Sequence, residues 1–254
     1  MNMIGASRNR RHGQVLILSA LGIAGIIIAT CVYTYQLTQY SGLDISSSPN
    51  AFVENLKLES RNLITGVLSN KSNGGGDDLI STLQRWSSFI YKNHNSGICR
   101  MTYHLSDENP YSSGILIDWA RNSTGVSSAQ VLLHMRMTNE GWSLNTSYVV
   151  DVTTRLVVDG IAVSLNDTAK RISVNADLYN EDNHALASSL EILYRSGYGW
   201  VHADSADGYS LNDFGNGTYR ASFTVFNAGT IDVSVLSRDE RGIFAMANST
   251  CSQV

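Results

Sequence analysis

Residues 213–242 read DFGNGTYRASFTVFNAGTIDVSVLSRDERG. Tyr219, Ala221, Phe223 and Val225 alternate with Arg220, Ser222 and Thr224, and Ile231, Val233 and Val235 alternate with Asp232 and Ser234. A period of two puts every second side chain on one face, so each run predicts a strand with one buried face. Asn227, Ala228 and Gly229 stand between them with turn chemistry. Two such strands cannot shield their apolar faces alone and require a second layer.

The same pattern extends upstream. Ile172, Val174, Ala176 and Leu178 alternate, and so do Leu190, Ile192 and Tyr194, with the turn-rich NEDNH at 180–184 and DGYS at 207–210 between strands. Short strands at regular spacing predict a β-sandwich over 167–254. From 97 to 166 the period is again two: Val131, Leu133, Met135 and Met137 form one face, and Val150, Val152, Leu156 and Val158 another. Asp159-Gly160 then precedes Ile161, Val163 and Leu165. An Asp-Gly pair between alternating runs predicts a hairpin, so 97–166 reads as a separate antiparallel β unit.

Before residue 97 the period is helical. Ser48-Pro49 forms a start signal, and Val53, Leu56, Leu63, Ile64 and Val67 recur at helical spacing to about residue 69. Gly74-Gly75-Gly76 breaks that helix. Asp77 or Asp78 caps a second one, with Leu79, Ile80, Leu83, Trp86 and Ile90 on its apolar face.

The N-terminal segment is different in kind. Residues 13–43 carry no formal charge, Gln14–Val32 read QVLILSALGIAGIIIATCV, and Arg8, Arg10 and Arg11 precede them. About 19 apolar residues at roughly 1.5 Å each match a hydrocarbon core, and the positive-inside rule puts the N-terminus in the cytoplasm. Gly25 and Ala29 form a small-xxx-small pair suited to helix contact. The stretch RNRRHGQVLILSALGIAGIIIATCVYTYQL resembles the N-termini of archaeal type IV pilin-like proteins. That resemblance implies leader cleavage between Gly13 and Gln14 and a retained helix that builds a filament core. Many pilins carry Glu as the fifth mature residue, where this chain has Leu18. Two other readings stay open: a lipid anchor at Cys31, after Ile28-Ala29-Thr30, and an ordinary cleaved signal segment.

The quoted stretch 213–242 also resembles immunoglobulin-like modules of prokaryotic surface proteins, a resemblance that spans about residues 168–250. It implies a fold, and fold does not carry function. The expected architecture is mainly β with an N-terminal transmembrane helix. It comprises a basic cytoplasmic leader (1–12), a transmembrane helix (13–36), a juxtamembrane region of one or two short helices (37–96), an antiparallel β unit (97–166) and a C-terminal immunoglobulin-like β-sandwich (167–254).

Composition narrows the class of job. After the apolar segment the chain holds 15 Lys and Arg against all 22 Asp and Glu. An acidic exterior without a basic stripe disfavours nucleic acid as a partner. Six Asn-x-Ser/Thr sequons, at Asn70, Asn122, Asn145, Asn166, Asn216 and Asn248, offer glycosylation acceptors outside a cell; turn-forming Asn is the bland alternative. Cys99 and Cys251 are candidates for a disulfide, with two separately buried thiols as the alternative.

His12, His94, His104, His134, His184 and His202 form no zinc spacing. Asp204, Asp207 and Asp213 fail an EF-hand alignment and read as solvated turn carboxylates. No nucleophile elbow, phosphate loop or dinucleotide fingerprint occurs, so no catalytic residue, cofactor or metal is expected and the chain does not read as an enzyme. Trp119, Trp142 and Trp200 read first as core and second as an exposed binding cluster.

The expected function is a membrane-anchored, single-pass cell-surface structural protein. It would be a pilin-like or adhesive subunit whose β ectodomain faces outward and whose partners are the membrane and other envelope or pilus-like subunits. The alternative is an anchored ligand-binding or accessory subunit of an envelope complex.

Overall fold

The structure is a computed structural model that describes residues 49–93, 97–139, 141–197, 199–227 and 229–254. Residues Asn55–Val254 form one compact unit. Among the described residues two helices, α1 (Pro49–Ser72) and α2 (Leu79–Asn93), precede thirteen strands. Asp78 caps α2, its Oδ2 accepting the Ser81 amide at 2.9 Å.

The long hairpin of β3 (Thr124–Asn139) and β4 (Trp142–Ser164) organises the rest. Their ladder runs unbroken from Thr124 opposite Val157 to Asn139 opposite Trp142. On one edge β3 pairs with β1 (Ile98–Leu105) and β2 (Ile115–Arg121). On the other edge β4 pairs with β5 (Ala169–Asn180), followed by β10 (Thr218–Phe226) and β9 (Asp207–Asp213). The two-residue strands β6 (Asn183–His184) and β13 (Ser252–Gln253) complete a nine-stranded sheet. A second sheet has four strands in the order β12 (Phe244–Thr250), β11 (Asp232–Asp239), β7 (Ala187–Ser196) and β8 (Gly199–His202).

One face of the large sheet is covered twice. Over the later part of β4 and over β5 and β10 it meets the small sheet. Leu156, Val158, Ile172, Val174, Phe223 and Val225 pack there against Ile192, Val233, Val235 and Ala247. Over β1, β3 and the start of β4 helical cover replaces the second sheet. Leu79, Leu83 and Ile90 of α2 are buried, as are Cys99, Met101, Leu133, Met135 and Met137. The molecule thus has a sandwich half and an extended half that share one hairpin.

Helix α1 ties the halves together. Ser60 shares a hydrogen bond with Tyr148 at 3.3 Å, and Ser69 and Asn73 donate to the Gly242 carbonyl at 3.0 and 2.9 Å. Beneath it lies an ion cluster. Asp239 has no solvent exposure and accepts from the Arg241 and Ile243 amides, from Arg241 Nε at 2.8 Å and from Thr154 Oγ1 at 2.9 Å. Arg241 also reaches Glu181 at 2.6 Å, and Arg61 of α1 reaches the other Glu181 oxygen at 3.1 Å. Glu181 and Asp182 form the β5–β6 turn with φ of 45° and 65°, a region that disfavours residues with a Cβ. The contacts to Arg61, Arg241 and the Thr153 amide hold Glu181 there.

Three expectations need correction. The first is the transmembrane helix: among the described residues no helix is long and apolar enough to cross a membrane. Helix α1 carries Glu54, Lys57, Glu59 and Arg61, and α2 has 15 residues, roughly 22 Å, short of the roughly 30 Å needed. The segment 13–36 expected to span, with Gly13, Gln14, Gly25 and Ala29, lies outside the described residues.

The second concerns the division of the β region. The expected units 97–166 and 167–254 share the nine-stranded sheet, so the sandwich is not confined to the C-terminal third. The third concerns Asp159-Gly160, which makes no turn. It lies within β4, with Asp159 opposite Asn175 and Gly160 opposite Val174. Gly160 is required by close approach, since a Cβ there would lie 2.7 Å from Cys251 Sγ. Beyond Val157, where β3 ends, β13 takes its place on β4 in parallel, Ser252 opposite Ile161.

Candidate functional site

The face of the large sheet turned away from the helices and the small sheet is uncovered within the compact unit. On the extended half it is made by alternate residues of β1, β3 and the start of β4. Arg100 stands directly opposite Arg136, which stands opposite Asn145. One step inward, Thr102, His134 and Ser147 form the next row, and His134 Nδ1 lies 2.6 Å from Ser147 Oγ. The His104 and His134 rings meet edge to face at 5.4 Å.

The chain has 22 Asp and Glu, yet none lies in α2, β1, β3 or β4 up to Val150. These elements carry Arg85, Lys92, Arg100 and Arg136. Glu140, in the turn between β3 and β4, lies outside the described residues. Among the described residues Lys92, Arg100 and Arg136 have no ion-pair partner, and all three are exposed. Beside this face, between the last turns of α2 and the edge strand β1, a cleft of about 430 Å³ is lined by Ser87, Ser88, Tyr91, Lys92, Arg100 and Met101.

A second cleft of about 480 Å³ lies where α1 ends beside β2 and β12, with Lys71, Asn73, Ile117, Trp119, Arg238 and Phe244 on its walls. Of its two cations, Lys71 and Arg238, the second is already engaged: Arg238 Nε donates to Asn73 at 2.7 Å and its guanidinium stacks 5.4 Å from the Phe244 ring centre. Trp119 donates to Ser127 at 3.0 Å and packs edge-on against Phe244. This cleft is therefore mostly satisfied by the fold.

Cys99 and Cys251 are both free and buried, so the candidate disulfide is not formed. Cys99 pairs with Met137, which opposes Leu144 at the far end of β4, whereas Cys251 packs on Gly160. On the order of 50 Å of strand separates those two β4 positions, and a disulfide needs Cα atoms within about 7 Å. Burial pushes both thiols up, each to about 11.

Of the sequon asparagines, Asn70, Asn122, Asn145, Asn166 and Asn216 are exposed. Asn166 and Asn216 also serve their turns, accepting from the Thr168 amide at 2.9 Å and the Thr218 amide at 3.1 Å. Asn248 differs, being half-buried within β12 with an Oδ1 that finds no partner among the described residues. Among the described residues no group of three or more His, Cys, Asp or Glu is placed to hold a metal.

Sequence reasoning missed Lys92, Arg100 and Arg136. The signal that finds them is the lack of carboxylates in four elements that only the β1–β3–β4 register shows to be neighbours. Comparison with known protein families, with curated proteins and with solved structures finds no match to this chain.

Proposed function

We propose that the chain is a cell-surface structural protein, an adhesive subunit that presents the extended half of its large sheet to the outside. The observation that carries this is the uncovered face of β1, β3 and the start of β4, which bears Arg100, Arg136, His104 and His134 with no carboxylate on β1, on β3 or on β4 before Asp151. Carboxylate-free cations on a rigid sheet make a contact surface, because nothing within the strands neutralises them.

The exposed Asn70, Asn122, Asn145, Asn166 and Asn216 suit an outward-facing, sugar-bearing domain. The sandwich half serves as the rigid base. Its core is continuous between the two sheets, and α1 braces it against the extension through Ser69, Asn73 and Arg61.

The test is accessibility on intact cells that express the full chain. Antibody raised against the chain should label unpermeabilised cells, and added protease should remove that label. Labelling that appears only after lysis rejects the proposal.

A further inference from the structure

We infer that the cleft between α2 and β1, with the adjoining face of β3, binds an anionic polysaccharide. This rests on the reading of that face as the contact surface.

The first ground is the charge arrangement. Arg100 and Arg136 are direct cross-strand partners. Like charges opposite each other destabilise a sheet, and no carboxylate among the described residues is paired with either arginine. In the other half of this sheet Arg155 stands opposite Val126 and Tyr179 and meets Asp182 at 3.2 Å. Lys92 adds a third cation on the wall that it shares with Arg100.

The second ground is the chemistry between the cations. Ser87 and Ser88 contribute hydroxyls, and Tyr91 contributes a ring that is 52% exposed. A hexose ring offers hydroxyls to such groups and an apolar face to the tyrosine, while its carboxylate or sulfate meets guanidinium in charge-assisted hydrogen bonds. The cleft volume of about 430 Å³ suits a sugar unit with its neighbours running out over the open sheet.

Two other polyanions fit less well. An acidic peptide docks through apolar anchors, and among the described residues the only aliphatic side chain on the cleft wall is the buried Met101. A single nucleic acid strand asks for a row of stacking aromatics, and among the described residues the wall offers Tyr91 alone.

The test uses the purified full chain against immobilised polygalacturonate, chondroitin sulfate, dextran, oligo-dT and polyglutamate at low salt. The carboxylated and sulfated glycans separate the two anion sources. Binding is expected to at least one of them and not to dextran. The double variant Arg100→Ser/Arg136→Ser should lose about tenfold or more in affinity, about 1.4 kcal/mol. Lys92→Ser, on the exposed last turn of α2, should lose about threefold and keeps the test open if the double variant misfolds. Arg195→Ser, which removes an exposed cation at the far sheet, should change nothing. Absence of binding to both anionic glycans, equal loss in Arg195→Ser, or equal binding of oligo-dT or polyglutamate overturns the inference. Labelling of intact cells reads location regardless of ligand, so failure here is distinguishable from failure of the surface role.

Discussion

On the outer face of the sandwich half, two of the three arginines, Arg155 and Arg220, have partners, and Arg171 has none among the described residues. Arg155 bonds Asp182 at 3.2 Å and lies over the Tyr179 ring at 4.6 Å, and Arg220 Nε donates to Asn175 at 2.8 Å. On the same face of the extended half, Arg100 faces Arg136. The strands are continuous between the two regions, so sheet geometry does not separate them. What separates them is the carboxylate: Asp182 lies beside Arg155 in one half, and only Asn, Thr, Ser and His lie beside Arg100 and Arg136 among the described residues of the other. One half spends its surface on its own cohesion and the other leaves surface for a partner.

The comparison breaks first at the ion cluster beneath α1, where the largest effect is expected. Asp239→Ala removes the acceptor for two amides, Arg241 Nε and Thr154. It leaves Arg241 in a half-buried site with Glu181 as its one carboxylate among the described residues, beside the Thr153 carbonyl and the Thr154 hydroxyl. Loss of one member of a buried pair costs about 3–5 kcal/mol, so urea unfolding of this variant should shift by that amount. A shift under about 1 kcal/mol would mean that the cluster is not what joins α1 to the sandwich.

A second variant asks whether the halves unfold together. Leu133 is fully buried in the extension and Phe223 in the sandwich. Leu133→Ala should cost about 2–4 kcal/mol. Because the β3–β4 ladder is unbroken from Asn139 to Thr124, it should move one single transition, the same one that Phe223→Ala moves. Two resolved transitions, with the sandwich untouched by Leu133→Ala, would make the extension a separately folding element.

How much of this was legible in sequence follows from what each residue's neighbours are. Tyr219, Ala221, Phe223 and Val225 announce a half-buried strand because alternation is local, and all four are buried. The Asp78 cap and the Glu181-Asp182 turn are likewise local and were in reach. Gly160 misled because its reason is Cys251, far along the chain, rather than a turn beside it. Asp239 carries no local mark of burial, which depends on Thr154 arriving from another segment and on Arg241 folding back beside it. The cation face failed for the same reason. Lys92, Arg100 and Arg136 belong to three elements, and only strand register makes them one surface.

The thiols give a pH test with a defined sign. Cys99 lies in the extension and Cys251 in the sandwich, and each is raised to about 11 by burial, from 9.0. Above pH 9 the unfolded thiols lose protons that the folded ones keep, so the unfolded state binds fewer protons and stability falls as pH rises from 9 toward 11. The slope is at most about 1.4 kcal/mol per pH unit for each thiol, and it vanishes below pH 9. Urea unfolding at pH 8 and pH 10 should therefore differ more for the native chain than for Cys99→Ala/Cys251→Ala. If one single variant removes the whole difference, the two halves bury their thiols unequally.

The smallest effect is the one that bears most directly on why the halves differ. Arg100→Ser/Arg136→Ser removes a like-charge pair that has no neutralising neighbour among the described residues, so it should raise stability by about 0.2–1 kcal/mol at low salt. The gain should shrink in about 1 M salt, where the Debye length falls to about 3 Å. Arg220→Ser has the opposite sign: it removes a hydrogen bond to Asn175 on the sandwich face and should lower stability by up to about 1 kcal/mol. A change that improves folding while removing a contact surface is the signature of residues kept for something other than stability. If both variants lower stability alike, the arginines at 100 and 136 are part of the fold after all, and the contrast between the two halves is one of degree.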